Sequence, residues 1–320
     1  MPGITTVSLM RVLLALGGNA MTNAEGRARP EDQVAAAQVA ADAVAALLEH
    51  DHEVVLTHGN GPQVGNLLVK NELAAAVVPP VPLDWCGAQT QATLGFVLMD
   101  ALDHALAGRG VNRRTAAVVT RTLVDPEDEG FTRPTKPIGR HLPEAEARLL
   151  VDHGETWEDR GEKGWRRVVA SPEPVEILDA AAVQALVAAG FVVVAAGGGG
   201  IPHVRRPDGS LVGVEAVIDK DLGAALLGRT LGADVLVIAT DVPQAVLRWG
   251  EPDAEPVGTV TLDRMRSLAA EGHFASGSMG PKVEALCRYV EATGGRGVIT
   301  SLDQITHAVA GDAGTVVVPD

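Results

Sequence analysis

Short, almost wholly apolar runs alternate with long alanine- and leucine-rich stretches along most of this chain, and several of those runs end abruptly in glycine. Residues 12–16, 54–57, 115–120, 191–196, 235–240, 296–300 and 315–318 read as strands. Runs with no polar alternation mark strands that are covered on both faces. Helices are predicted over 30–49, from about 62, and over 85–107, 179–189, 219–231 and 281–293. The first opens on Pro30 and carries Val34, Ala37, Ala41, Val44 and Leu48 on one face. Strands separated by helices in this way predict an α/β fold, a mainly parallel sheet with helices on both sides.

Two stretches break the pattern. Residues 203–213 read as a hairpin turning at Pro207-Asp208-Gly209. Residues 121–174 are polar, rich in Pro, Gly and Glu, and too long for an ordinary loop, so they read as an inserted, protruding subdomain. At 320 residues the chain suits one large domain or two joined lobes. The lobes are expected over 1–212, which includes the insert, and 213–320.

In a parallel sheet, ligands sit beyond the carboxyl ends of the strands. Three strand ends here share a composition: Gly17-Gly18-Asn19, His58-Gly59-Asn60-Gly61 and Gly197-Gly198-Gly199-Gly200. Glycine lets backbone N–H groups approach an anion, and a following helix adds the positive end of its dipole. The set points to phosphate or anion binding. No G-x4-G-K-[ST] loop, no G-x-G-x-x-G and no protein-kinase signature occurs, so a nucleotide would be held on some other fold.

Charge narrows the partners. The net charge is −15, which disfavours nucleic acid and anionic membrane surfaces but allows an anionic substrate where local cations reverse the field. Of 26 basic residues only five are lysine: Lys70, Lys136, Lys163, Lys220 and Lys282. A chain that prefers arginine so strongly keeps lysine where a compact, mobile ammonium is needed. Lys136, Lys220 and Lys282 lie in Gly/Pro or loop-to-helix settings, which suits the neutralisation of transferring phosphoryl oxygens. Asp219 and Asp221 flank Lys220. They can orient ammonium groups or hold Mg2+ through water, and either can equally be a helix N-cap.

Cys86 and Cys287 stand far apart with no ligand spacing, which fits buried thiols in a reducing cytoplasm. No apolar run approaches a membrane span, and the first residues lack a signal-peptide pattern.

The motifs together resemble the amino-acid kinase superfamily, and carbamate kinases in particular. The resemblance rests on Leu14-Ala15-Leu16-Gly17-Gly18-Asn19-Ala20, His58 through Gly65, Leu83 through Ala88, Pro134 through Gly139, Ala195 through Ile201, Val217 through Leu222, Thr240-Asp241-Val242-Pro243, and Glu271 through Ala285. They occur in the family's order and span residues 9–320. The resemblance implies a sheet between helical layers, a protruding subdomain, a homodimer and the reaction ATP + carbamate ⇌ ADP + carbamoyl phosphate. It implies that Gly17, Gly18 and Asn19 bind the transferring phosphoryl group and that Gly59, Asn60 and Gly61 hold carbamate. Lys220 and Lys282 would stabilise the phosphoryl group, Asp221 would orient them, and Lys136 would reach in from the insert. Gly198, Gly199, Thr240, Asp241, Met279 and Gly280 would face the nucleotide together with Lys282. Mg2+ would arrive on ATP or ADP, with no metal site of the protein's own.

The chain departs from the family pattern at Gln244, where many relatives carry lysine, and in the insert around 140–165. His58 and His273 read as hydrogen-bonding positioners, because carbamate is already an anionic nucleophile. Two other readings stand beside the first: a superfamily kinase for another small carboxylate or phosphonate, and a non-catalytic ligand sensor.

Overall fold

Val12, Leu14 and Leu16 pack into one buried apolar cluster, while Leu13 and Ala15, the residues between them, pack into another. One strand, Arg11–Leu16, therefore feeds two cores on opposite faces of a sheet, which is why its sequence has no polar alternation. In this computed structural model, which describes residues 9–18, 29–152, 154–275 and 278–320, that strand lies in the middle of eight. Asn19 of the first glycine loop lies outside the described residues.

The strand pairs in parallel with Glu53–His58 on one side and Val235–Thr240 on the other. Beyond Glu53–His58 come Phe191–Val194 and then Arg114–Ala117, both parallel. Beyond Val235–Thr240 comes Arg296–Ser301, parallel, and then Thr315–Val318, antiparallel, with Thr259–Thr261 at the edge. Helices Pro30–Leu48, Leu83–Arg109 and Ile305–Ala310 cover one face. Helices Ala180–Ala188, Lys220–Leu231, Leu262–Ala270 and Met279–Thr293 cover the other. The layering is that of the expected α/β fold.

Details differ from the sequence reading. The strand predicted over 115–120 stops at Ala117, because Thr120 leaves the ladder: its N–H donates to Gln91 Oε1 at 2.8 Å and its Oγ1 accepts from Ala196 N at 3.0 Å. Val34 is 53% exposed, although Ala37, Ala41, Val44 and Leu48 are buried as expected. At the two ends of the 121–174 stretch, strands Arg121–Val124 and Pro174–Ile177 join a four-stranded sheet with the hairpin Ile201–Arg205/Leu211–Gly213.

The protruding unit proper is a three-stranded sheet of Lys136–Leu142, Trp165–Val169 and Trp157–Asp159 with helix Glu144–Asp152. Leu142, Ala147 and Trp157 form its small core, with Trp165 against it. Ile138 and Val169 bury against Val64 and Leu68, so the unit stands on helix Gly61–Ala74.

Candidate active site

The register brings Leu16, His58 and Thr240 to one edge of the sheet, where the order of strands switches direction around Arg11–Leu16. A crevice at such a point is the usual ligand position in an open parallel sheet. Backbone bonds carry the ladder one residue further: Gly17 N donates to Ala239 O and Gly59 N to Leu16 O, each at 2.8 Å. The two loops then touch, since a Cβ on Gly59 would lie 2.7 Å from Gly18 N. Only glycine permits that approach.

The Gly197–Gly200 run closes on the same loops. A Cβ on Gly197 would lie 2.4 Å from the His58 ring, and one on Gly198 2.2 Å from Asn60 Nδ2. Asn60 Nδ2 donates to Thr90 Oγ1 at 2.9 Å, and Thr90 donates on to Gly87 O at 2.7 Å. Gln91 Nε2 ties Gly197 O to Thr120 O. Gly199 packs on Ile218 and on Gly223 of helix Lys220–Leu231. The third glycine run is thus largely a seam where backbone meets backbone, with Gly198 alone of its four residues facing the cavity described next. Thr90 and Gln91, which hold the seam, stand on the helix predicted over 85–107, where sequence reading singles out neither residue.

The lysines converge on two carboxylates. Asp219 caps helix Lys220–Leu231, accepting from Asp221 N at 2.9 Å and Leu222 N at 3.3 Å through Oδ1. Its other oxygen takes Lys136 Nζ at 2.8 Å. Cap and lysine partner are therefore the same side chain. Asp221 is 3% exposed and sits between two ammonium groups: Lys220 donates to Oδ1, and Lys282 Nζ lies 3.5 Å from Oδ2. Lys282 also donates to Ser278 O at 3.3 Å. Burial pushes the Lys282 ammonium below the usual lysine range, Lys220 adds to the effect, and Asp221 opposes it. Burial works to raise the Asp219 carboxyl, but Lys136 and Lys220 outweigh it and hold the group low.

These groups line a cavity of about 880 Å3. Gly18, Gly59, Asn60, Gly61, Lys136, Gly198, Lys220, Asp221 and Lys282 are in its wall. Gly17, Gly199, Thr240, Asp241, Met279 and Gly280 are not. Thr240 is buried at its strand end and donates to Asp241 Oδ1 at 3.0 Å, while Met279 packs against the core. Three arginines that the sequence reading passed over, Arg29, Arg140 and Arg166, also line the cavity. Among the described residues the wall carries these six cations against only Asp219 and Asp221, so a protein of net charge −15 presents a positive interior to an anion.

Both carboxylates already serve ammonium groups, and among the described residues no cluster of three or more His, Cys, Asp or Glu could hold a metal ion. The donor set does not fit a resident Mg2+.

His58 is enclosed behind this wall. Its Nδ1 lies 3.0 Å from Gly59 O, Nε2 has no partner among the described residues, and burial pulls its pKa down to about 4. The ring is neutral, and Nδ1–H donates to the carbonyl that starts the second glycine loop.

Comparison with known proteins decides the lineage. The pattern of the amino acid kinase family matches residues 10–301. The chain belongs to that family. Its full-length relatives within the amino acid kinases include carbamate kinases. One from Thermococcus kodakarensis is 43% identical over 314 residues, which is 97% of this chain and 99% of the relative. A carbamate kinase-like protein of Escherichia coli is 41% identical over 312 residues, covering 96% and 98% of the two chains. The solved structure of the Giardia lamblia carbamate kinase bound to AMP-PNP superposes with a TM-score of 0.92 at 39% identity, covering 98% of this amino acid kinase and 99% of that one.

Proposed function

We propose that this chain transfers a phosphoryl group reversibly between ATP and carbamate, giving ADP and carbamoyl phosphate, and that it runs toward ATP in arginine or ureide catabolism. The likeness to carbamate kinases over the whole length makes it a phosphotransferase of that kind. The observation that carries the site assignment is the pair of lysines held by one buried carboxylate, Asp221, at the edge of two touching glycine loops.

Phosphoryl transfer passes through a loose transition state whose charge lies on the equatorial oxygens, so catalysis is alignment plus neutralisation. In this reading Gly59, Asn60 and Gly61 hold carbamate, with the Asn60 side chain fixed by Thr90. One carbamate oxygen forms a bond to phosphorus as the bond to ADP breaks. Lys220 and Lys282 neutralise the group in transit, and Gly17, Gly18 and Asn19 supply backbone and amide donors. Lys136 adds charge from the protruding unit, where Asp219 already aims it at the cavity. Gly198, Gly199, Thr240, Asp241, Met279 and Gly280 are assigned to the nucleotide side together with Lys282. Mg2+ comes with the nucleotide phosphates, whose charge it offsets, because Asp219 and Asp221, the cavity carboxylates among the described residues, already hold lysines.

The same reading makes the enzyme a cytoplasmic homodimer. Free, buried Cys86 and Cys287 suit a reducing compartment, and no described helix is long and apolar enough to cross a membrane. Trp85 and Phe96, 63% and 51% exposed on helix Leu83–Arg109, are candidates for burial between copies. The two lobes, 1–212 and 213–320, then divide carbamate and nucleotide binding between them.

The deciding experiment is a coupled assay for ATP formed from ADP and carbamoyl phosphate. ATP formation supports the reading. Turnover only with another small acyl phosphate or a phosphonate would replace carbamate as the acceptor. Nucleotide binding with no turnover of any substrate would make the chain a sensor.

A further inference from the structure

Arg166 is the cation in the cavity wall that no described residue neutralises. Lys136 is paired with Asp219, Lys220 and Lys282 with Asp221, Arg29 with Asp32, and Arg140 with Glu72 at 2.9 Å. Arg166 makes no ion pair with any described residue, and its Nε is buried without a hydrogen-bond partner. Its position in the three-stranded sheet explains this. Directly across the ladder stand Glu158 on one side and His141 on the other. Side chains opposite one another share a face. The Glu158 carboxylate is taken by Arg160 at 2.6 Å, and His141 offers no negative charge. The next residue, Arg167, also has an Nε without a partner, but unlike Arg166 it forms ion pairs, with Glu155 and Glu215. Burial and the nearby Arg160 both push the Arg166 guanidinium down, so holding it there uncompensated costs stability.

We infer that Arg166 is an anion-binding residue of the active site, and that its partner is the phosphate of carbamoyl phosphate. The inference rests on the carbamoyl phosphate reading above. The protruding unit stands over helix Gly61–Ala74, with Gly139 close against Gly65 and Leu68, so its strands roof the glycine loop assigned to the small substrate. The residues assigned to the nucleotide, other than Lys282 and Gly198, lie outside this cavity. A guanidinium fork matches two phosphate oxygens at once, which a lysine in that place could not do. Arg166 thus joins Lys136 and Arg140 as a third wall cation from the insert, and alone of the three it has no ion-pair partner among the described residues before substrate arrives.

The test measures full-length Arg166→Ala and Arg166→Lys in ATP synthesis, with Arg148→Ala as control. Arg148 is exposed, paired with Glu144 and outside the cavity. Arg166→Ala is expected to raise the KM for carbamoyl phosphate about 10- to 100-fold, with the KM for ADP moving less than about threefold. Arg166→Lys should recover part of the loss, and Arg148→Ala should behave as wild type. Calorimetric titration with carbamoyl phosphate, in the absence of nucleotide, should show the same weakening. An unchanged KM for carbamoyl phosphate, or equal shifts for both substrates, overturns the inference while leaving the kinase reading intact. Wild-type protein that makes no ATP overturns the kinase reading instead. Titration with inorganic phosphate then tests Arg166 alone, and equal affinity in wild type and Arg166→Ala refutes it.

Discussion

His58 gives this enzyme an acid-sensitive point that can be put in numbers. The ring is fully enclosed, Nε2 has no partner among the described residues that would stabilise a second proton, and burial lowers its pKa from 6.5 to about 4. In the unfolded chain the ring takes up a proton near 6.5, whereas in the folded protein it does not until about 4. The folded pKa is the depressed one, so the stability held by the neutral ring is complete above 6.5 and is lost as the pH falls toward 4. The whole difference amounts to about 3 kcal/mol, of which about 2 kcal/mol is gone by about pH 5. Urea unfolding of the wild type and of His58→Gln between about pH 7.5 and 5 isolates this contribution. Other groups titrate in both proteins, but the wild type should lose about 2 kcal/mol more than the variant over the same range. Whatever the variant costs at neutral pH does not enter the comparison, because only the slopes are compared. Parallel slopes would show that His58 is protonated or hydrated in the native state, and the argument from enclosure would fail.

Other outcomes follow from the same geometry. Lys220→Ala and Lys282→Ala should each lower kcat by about 10²–10³-fold while far-UV circular dichroism stays native; near-normal turnover in both would remove them from the chemistry. Gly59→Ala places a methyl 2.7 Å from Gly18 N, which forces two backbones apart, and should cost about 1–3 kcal/mol and most of the activity. Gly61→Ala, with nothing within 4 Å, should leave the melting temperature unchanged. Because burial lowers the Lys282 pKa, the alkaline limb of kcat/KM should fall below the ordinary lysine value of 10.5, and Lys282→Arg should displace that limb. A limb at or above 10.5 contradicts a desolvated, catalytic Lys282.

The parts of this molecule that were legible in sequence are those where local chemistry and three-dimensional position coincide. The strand Arg11–Leu16 is apolar throughout because it is buried on both faces, and Gly17-Gly18 follows because Gly59 must touch it. The scarcity of lysine singled out Lys136, Lys220 and Lys282, and all three line the cavity. The same reasoning hid Arg166: in a chain that uses arginine nearly everywhere, residue type alone cannot separate a working guanidinium from a surface one. Only the sheet register, which consumes Glu158 on Arg160, reveals it. The Gly197–Gly200 run was read as a ligand cradle by analogy with the other two glycine loops. Its steric neighbours, His58 and Asn60, Ile218, and Thr122, come from three separate segments, and no local pattern announces them. The pairing at the edges of the insert is hidden for a similar reason. Arg121–Val124 pairs with Ile201–Arg205, a partner far along the chain that composition does not reveal.

The central place of Arg11–Leu16 also fixes when this protein can become an enzyme. One neighbour, Glu53–His58, follows soon in the sequence, but the other lies far away: Arg11 N bonds Asp234 across 223 residues. A ribosome adding about 5–20 residues each second needs on the order of 10–45 s to cover that interval. Throughout it, the first strand shows one unpaired backbone edge and an apolar face awaiting helices Lys220–Leu231 and Met279–Thr293. The newborn chain therefore carries an open strand edge and apolar face beside its future catalytic centre. The step that buries that surface, docking of Val235–Thr240, is also the step that brings Lys220 and its helix up to Gly18 and Gly59.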